Sequence, residues 1–246
     1  MDTITAVNLT NPEVRKVVAD ILSQAITGEL IGMSNFASLA ETVSDVEEKM
    51  EAVEHAESER QHALGFQRIA EKHELPTIIN LDGIYWKTMR EEFLKNARNK
   101  DFIACLIIQE IMLESFAVSM YKDAGEAIGG EIGELLLKTS REEEEHLEHS
   151  IEILEAEWKR DGEQFVKKFH QLHLDCMTVL SEWSAKEDKR GHCGVCNGNC
   201  MKEDLGAIGL SSTQMRGNAL KTYATALDEI GLPTEQTTVW IVNLPA

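Results

Sequence analysis

Two of the eight histidines in this chain have a glutamate three residues before them: Glu59 with His62, and Glu143 with His146. Positions i and i+3 of a helix share a face, so each pair can grip one ion. One such pair arises easily by chance. A further carboxylate makes the pattern more specific. Glu114 sits near the middle of segment 105–121, which is apolar on nearly every side and contains neither Pro nor Gly. An ionised carboxylate alone in such a setting is costly, so it needs a cation or a proton. Glu29 lies in the apolar segment 26–33. It precedes Glu59 by 30 residues, and Glu114 precedes Glu143 by 29. The order is thus a lone Glu and then Glu-x-x-His, twice over. Each half reads as a helical hairpin that carries three ligands.

Four carboxylates and two imidazoles are the ligand set of ferritin-like di-iron and di-manganese bundles. Carboxylates suit hard ferrous ions, and imidazole adds neutral nitrogen. The rest of the chain must supply the helices. At 246 residues it can bury a sizeable core, and one domain spanning 1–246 is the default. Only 4 Pro and 27% charged residues, in long stretches rich in Ala, Glu, Leu and Lys, predict an all-α protein. The net charge of −19 argues against nucleic acid and anionic membrane surfaces as partners. The sequence shows no signal peptide, no transmembrane segment by apolar run length, and no secreted disulfide framework among its five Cys. These features predict a cytoplasmic protein.

Residues 1–10 read as a loose arm. Asn11-Pro12 opens the first helix, expected to about Thr42, and Ser44-Asp-Val-Glu resembles a capping box opening the second, expected to about His73. Gly28 and Gly32 flank Glu29; close approach to the backbone and tight helix packing both explain them. A third helix, about 83–99, lies in the long connection between the hairpins. It carries Lys87, Arg90, Lys95 and Arg98, with Lys100 after it. This patch is a solvated face or a docking face for an acidic electron-transfer partner. The helix of Glu114 turns at Gly129-Gly130 into the helix of Glu143. Glu142, Glu144, Glu145, Glu148 and His149 are expected at the surface, and His55 and His73 at the surface or behind the ligands. Further helices are expected over about 161–186 and 212–230, and an apolar C-terminal segment packs on the bundle. Between them, in a loop insert at 186–205, His192, Cys193, Cys196 and Cys200 have three readings: a zinc or other thiophilic metal site, redox use, or no special role.

The chain resembles the cyanobacterial aldehyde-deformylating oxygenases, also called aldehyde decarbonylases. The likeness is carried by Gly28-Glu29 with Asn35-Phe36, by Glu59-x-x-His62 before Gly65-Phe66, and by Gln109 with Glu114-x-Phe-Ala and Tyr121. Glu143-x-x-His146 and 224–231 extend it. The resemblance implies a ferritin-like four-helix bundle with additional helices. It implies two Fe2+ held by Glu29, Glu59, His62, Glu114, Glu143 and His146. The implied reaction turns a long-chain fatty aldehyde into an alkane one carbon shorter plus formate, with O2 and electrons from a ferredoxin-type donor. The implied pocket includes Gly28, Phe36, Phe66, Gln109, Phe116, Ala117 and Tyr121. Phe36 stands in place of a Tyr and Glu110 in place of a small residue, and the cysteine insert has no counterpart. Two other readings keep the bundle: a di-iron oxygenase acting on another small substrate, and a rubrerythrin-like protein handling peroxide or iron.

Overall fold

A computed structural model of the chain describes residues 6–187 and 189–245. The described residues form helices and no strand. The central bundle has four members: α1 (Pro12–Leu39), α2 (Val46–Lys72), a composite helix, and α6 (Gly130–Arg160). The composite helix joins α4 (Phe102–Leu106), a π-helical segment (Ile107–Leu113) and α5 (Glu114–Ile128). α1 packs along α2, and α5 along α6. Both pairs run antiparallel. Arg15 near the start of α1 donates to the His73 carbonyl just past α2 (3.2 Å), and Ser140 of α6 donates to the Val118 carbonyl of α5 (2.8 Å). The fold is ferritin-like, and α3 (Ile84–Arg98) lies in the connection between the two hairpins.

Local chemistry sets the boundaries. Asn11 caps α1 by accepting from Glu13 N–H, with Pro12 as the first helical residue. For α2 the cap is Asp45, one residue later than the expected Ser44; its carboxylate accepts from the Glu47 and Glu48 N–H groups at 2.9 and 3.2 Å. Asp45 and Glu48 together hold the capping-box spacing for that later start. α1 ends at Leu39, earlier than Thr42. The turn between α5 and α6 uses Gly129 and Gly130 at φ 62° and 57°, where a Cβ would be strained. The first half of the expected N-terminal arm lies outside the described residues. The rest is docked: Val7 N–H donates to the Ile128 carbonyl (2.8 Å).

The helix expected over 161–186 is three pieces: α7 (Gly162–Leu172), a π turn (His173–Met177) and α8 (Thr178–Ser184). Irregular chain leads through the cysteines to a short helix, α9 (Met201–Asp204), and a 3-10 turn (Leu205–Ile208). α10 (Ser212–Ile230) and α11 (Thr234–Val242) complete the chain. Trp240 of α11 stacks on His170 at 4.7 Å, which seats the C-terminal segment on α7. Buried apolar side chains form two clusters. Ile26 belongs to one and Ile31 to the other, with Glu29 between them on α1. Each large side chain buried this way contributes about 1.5–3 kcal/mol, which offsets the cost of the polar interior between them.

Candidate metal centre

Six side chains converge inside the bundle, and all are buried: Glu29 from α1, Glu59 and His62 from α2, Glu114 from α5, and Glu143 and His146 from α6. Their donor atoms fall into two sets, each within 4.8 Å: Glu29, Glu59, His62 and Glu143; and Glu59, Glu114, Glu143 and His146. Glu59 and Glu143 belong to both sets. Two ions held in these sets would share Glu59 and Glu143, and each would have one further carboxylate and one imidazole at hand. His62 Nδ1 lies 3.1 Å from Glu29 and 2.9 Å from Glu143; His146 Nδ1 lies 2.9 Å from Glu143 and 3.5 Å from Glu59.

The donors fit a pair of divalent cations. Glu59 Oε1, both oxygens of Glu143 and His146 Nδ1 are buried without an aligned hydrogen-bond partner. Buried polar atoms are nearly always satisfied, and a cation would satisfy these four. Electrostatics agree. Burial and the neighbouring carboxylates push Glu59 and Glu114 well above the usual carboxylate range, and Glu29 upward too. Burial also acts to raise Glu143, but contacts with His146 and His62 bring it down to about 2. Burial acts to lower His62, yet Glu143 and Glu29 lift it to about 10. The cage thus holds protons that metal binding would displace.

Local backbone features position these groups. A Cβ on Gly32 would stand 2.3 Å from Glu59 Oε2, so the glycine leaves room for that shared carboxylate, which a side chain there would displace. Gly28 serves packing: a Cβ there would meet the Trp86 ring at 3.2 Å. The π segment immediately precedes Glu114. In a regular α-helix, five residues turn through about 500°, which leaves Gln109 about 140° away from Glu114. The wider π turn brings the two together, and Gln109 Nε2 donates to Glu114 Oε1 (2.8 Å). Asn35 Nδ2 holds Gln109 in turn (2.7 Å), and the Tyr121 hydroxyl donates to Glu29. Such outer partners orient the ligands they touch.

A cavity of about 170 Å³ adjoins the cage. Glu29, Glu59 and Glu114 line it, and Ile21, Ala25, Ile31, Leu113, Phe116 and Met215 make most of its wall apolar.

The model of a family described as long-chain fatty aldehyde decarbonylase matches residues 13–174. The chain belongs to this family. All six cage residues lie within the matched part. Among solved structures, it is similar to a protein with aldehyde deformylating oxidase activity from Synechococcus. The TM-score is 0.78 and the identity 15%, over 96% of this chain and 99% of that one. No curated protein sequence matches.

Of the pocket residues expected from sequence, Gly28, Gln109, Phe116, Ala117 and Tyr121 line the cavity. Phe36 and Phe66 do not. Phe36 packs edge-on against His55 and His146 at 5.0 and 5.7 Å, and Phe66 packs beside Tyr121 at 5.4 Å. The lining also includes Gln24, Trp86, Met120 and Trp183. Spacing along α1 through Ile21, Gln24 and Gly28 could have found Gln24; nothing in the sequence pairs the two tryptophans. Glu142, expected at the surface, reaches His62 Nε2 (3.1 Å) and is held by Lys138 (2.6 Å). It is the next residue round α6 from Glu143, on the side facing α2. His55 is buried with its ring 4.1 Å from that of His146, and His73 meets Glu131 at 2.6 Å. Glu110 faces away from the cavity. Buried, it accepts from Ser150 (2.8 Å) and lies 3.8 Å from His55 and 3.6 Å from His149. Those two histidines hold it at about 2 against the effect of burial. On α3, Lys87, Lys95 and Arg98 are exposed, as is Lys100 just after it; Lys95 lies beside Glu92 at 2.8 Å, while Arg90 donates to Ser34.

Proposed function

We propose that this protein binds two ferrous ions in the six-residue cage and converts a long-chain fatty aldehyde to the alkane one carbon shorter plus formate. The observation that carries the reading is the pair of donor sets sharing Glu59 and Glu143 beside a narrow apolar cavity. An acyl chain fits such a wall, and its aldehyde carbon would then sit against Glu29, Glu59 and Glu114. Two ferrous ions in the cage supply Lewis acidity and the first electrons for O2 activation. The reaction balances with one aldehyde, one O2, four electrons and three protons, giving alkane, the formate anion and water.

The side chains carry the rest. Glu59 and Glu143, common to both donor sets, would hold both ions. Glu142 and Tyr121 orient His62 and Glu29, and the chain of Asn35, Gln109 and Glu114 fixes the third carboxylate. The apolar wall keeps bulk water from the reacting carbon. The remaining electrons come from a ferredoxin-type donor; the exposed basic side chains of α3 suit an acidic partner. We take residues 1–246 as one ferritin-like domain with an insert at 186–205, and its location as cytoplasmic. The composition and charge support both.

Ala117→Phe tests the cavity's role. The larger ring narrows the space beside Phe116, so turnover of a long-chain aldehyde is expected to fall about tenfold or more, with two irons still bound. Unchanged long-chain turnover would show that the acyl chain lies elsewhere.

A further inference from the structure

The cysteine loop lies outside the part of the chain matched by the family model, and nothing in the decarbonylase reading uses its thiols. Three of its donors, on His192, Cys196 and Cys200, lie within 4.8 Å of one another. Four ligands around a tetrahedral ion with metal–sulfur bonds of ~2.3 Å stand about 3.8 Å apart, so this cluster is within about an ångström of ligand spacing. Cys193 is the partner of Cys196 across a Cys-x-x-Cys turn, in hydrogen-bonding contact with it. We propose that His192, Cys193, Cys196 and Cys200 bind one thiophilic divalent cation of the zinc class, which fastens this loop over the end of the cavity farther from the carboxylate cage.

Several features beyond the four residue types support the site. Its sulfurs accept hydrogen bonds, as thiolate ligands do: Met201 N–H points at Cys196 Sγ (3.4 Å), and Gln24 Nε2 at Cys193 Sγ (3.0 Å). The loop turns at Gly194 and Gly198, with φ of 76° and 96°, which folds the chain tightly enough to bring Cys193, Cys196 and Cys200 together.

The loop is built into the fold. Asp20 accepts from Asn197 N–H (2.8 Å), Lys16 donates to the Asn199 carbonyl (2.9 Å), and Asn80 donates to the Cys193 carbonyl (2.9 Å). Lys16, Asp20 and Gln24 precede Glu29 by five to thirteen residues on α1, about 7–20 Å of helix rise. Cys193, Cys196 and Cys200 nevertheless line the same cavity as Glu29, together with Met201 and Lys202. A soft thiolate site at one end and a hard carboxylate cage at the other would take different metals.

The test is an anaerobic titration of the full, thiol-reduced chain with Co(II) alone, read by absorption. Sulfur ligation gives an intense thiolate-to-cobalt charge-transfer band that carboxylate and imidazole ligands do not. The band is expected to saturate by three Co(II) per chain, the cage taking up to two of them, to collapse when Zn(II) is added in excess of all three, and to vanish in the Cys196→Ser/Cys200→Ser variant. Absence of the band from the wild-type chain would overturn the site even if the variant did not fold. So would persistence of the band in the variant, or a loop found to hold a disulfide that excludes metal. The readout is independent of what fills the carboxylate cage, so it separates this site from the proposed reaction.

Discussion

Glu114 belongs to only one of the two donor sets, with His146 as the other unshared member of that set. Glu114→Ala should therefore abolish binding of at least one iron while circular dichroism stays helical; retention of two irons would refute the ligand assignment. Gly32→Ala acts through a different route. A methyl placed 2.3 Å from Glu59 Oε2 must displace a carboxylate shared by both sets. Iron affinity is expected to fall by about 10–100-fold, the usual effect of disturbing what supports a ligand; wild-type affinity would mean that Glu59 does not bridge. The six cage residues stand out in the sequence because a buried carboxylate and a Glu-x-x-His pair each break the apolar pattern of a core helix. Gly32 was visible only as an anomaly with two explanations, and the structure separates them. The supporting roles of Glu142 and Glu110 were not legible. One is a charge among other charges on α6, and the other takes its direction from backbone geometry that the sequence does not display.

Helices were read to within a few residues from caps and periodicity, but the two π segments were not. A wide turn adds no residue type that marks it; it only changes which side chains share a face. Ile107–Leu113 does this beside the metal cage, and His173–Met177 does it between α7 and α8. The second leaves His173 buried, with Nδ1 3.0 Å from the Tyr223 hydroxyl of α10 and Nε2 3.2 Å from the Trp240 carbonyl of α11. Burial, together with nearby His170, lowers its pKa to about 4, although the Trp240 carbonyl pulls the other way. The folded state thus resists a proton that the unfolded chain takes up near 6.5. Stability from this residue is complete above pH 6.5 and lost as pH falls toward 4, about 3 kcal/mol over that interval. His173→Gln keeps an amide able to donate and accept but cannot ionise there. Its melting temperature should fall less than the parent's between pH 6.5 and 4. Parallel curves would show that another group drives acid loosening of this layer.

Over the whole molecule, the bundle separates two environments. The only described helix long and apolar enough to cross a membrane is Phe102–Ile128, and 83% of its most apolar window is buried inside the protein. Its apolar character therefore belongs to the core and to the cavity wall rather than to the surface. The net charge is −19, and on α3 the exposed Lys87 and Lys95 lie beside Glu91 and Glu92 of the same helix. The two-hairpin plan was legible because each half repeats the same ligand order. The placement of α7 to α11, and the contribution of the cysteine loop to the cavity, were not legible, because apolar faces show that they are buried without showing against what.

The most direct measurement is a single turnover. The chain, loaded with Fe(II) without oxygen, is given octadecanal, a chemical reductant and O2, and the products are analysed together. Heptadecane and formate in equal amounts are the predicted result. Neither product from a chain shown to hold two irons would contradict the account and assign the cage to a different oxidation.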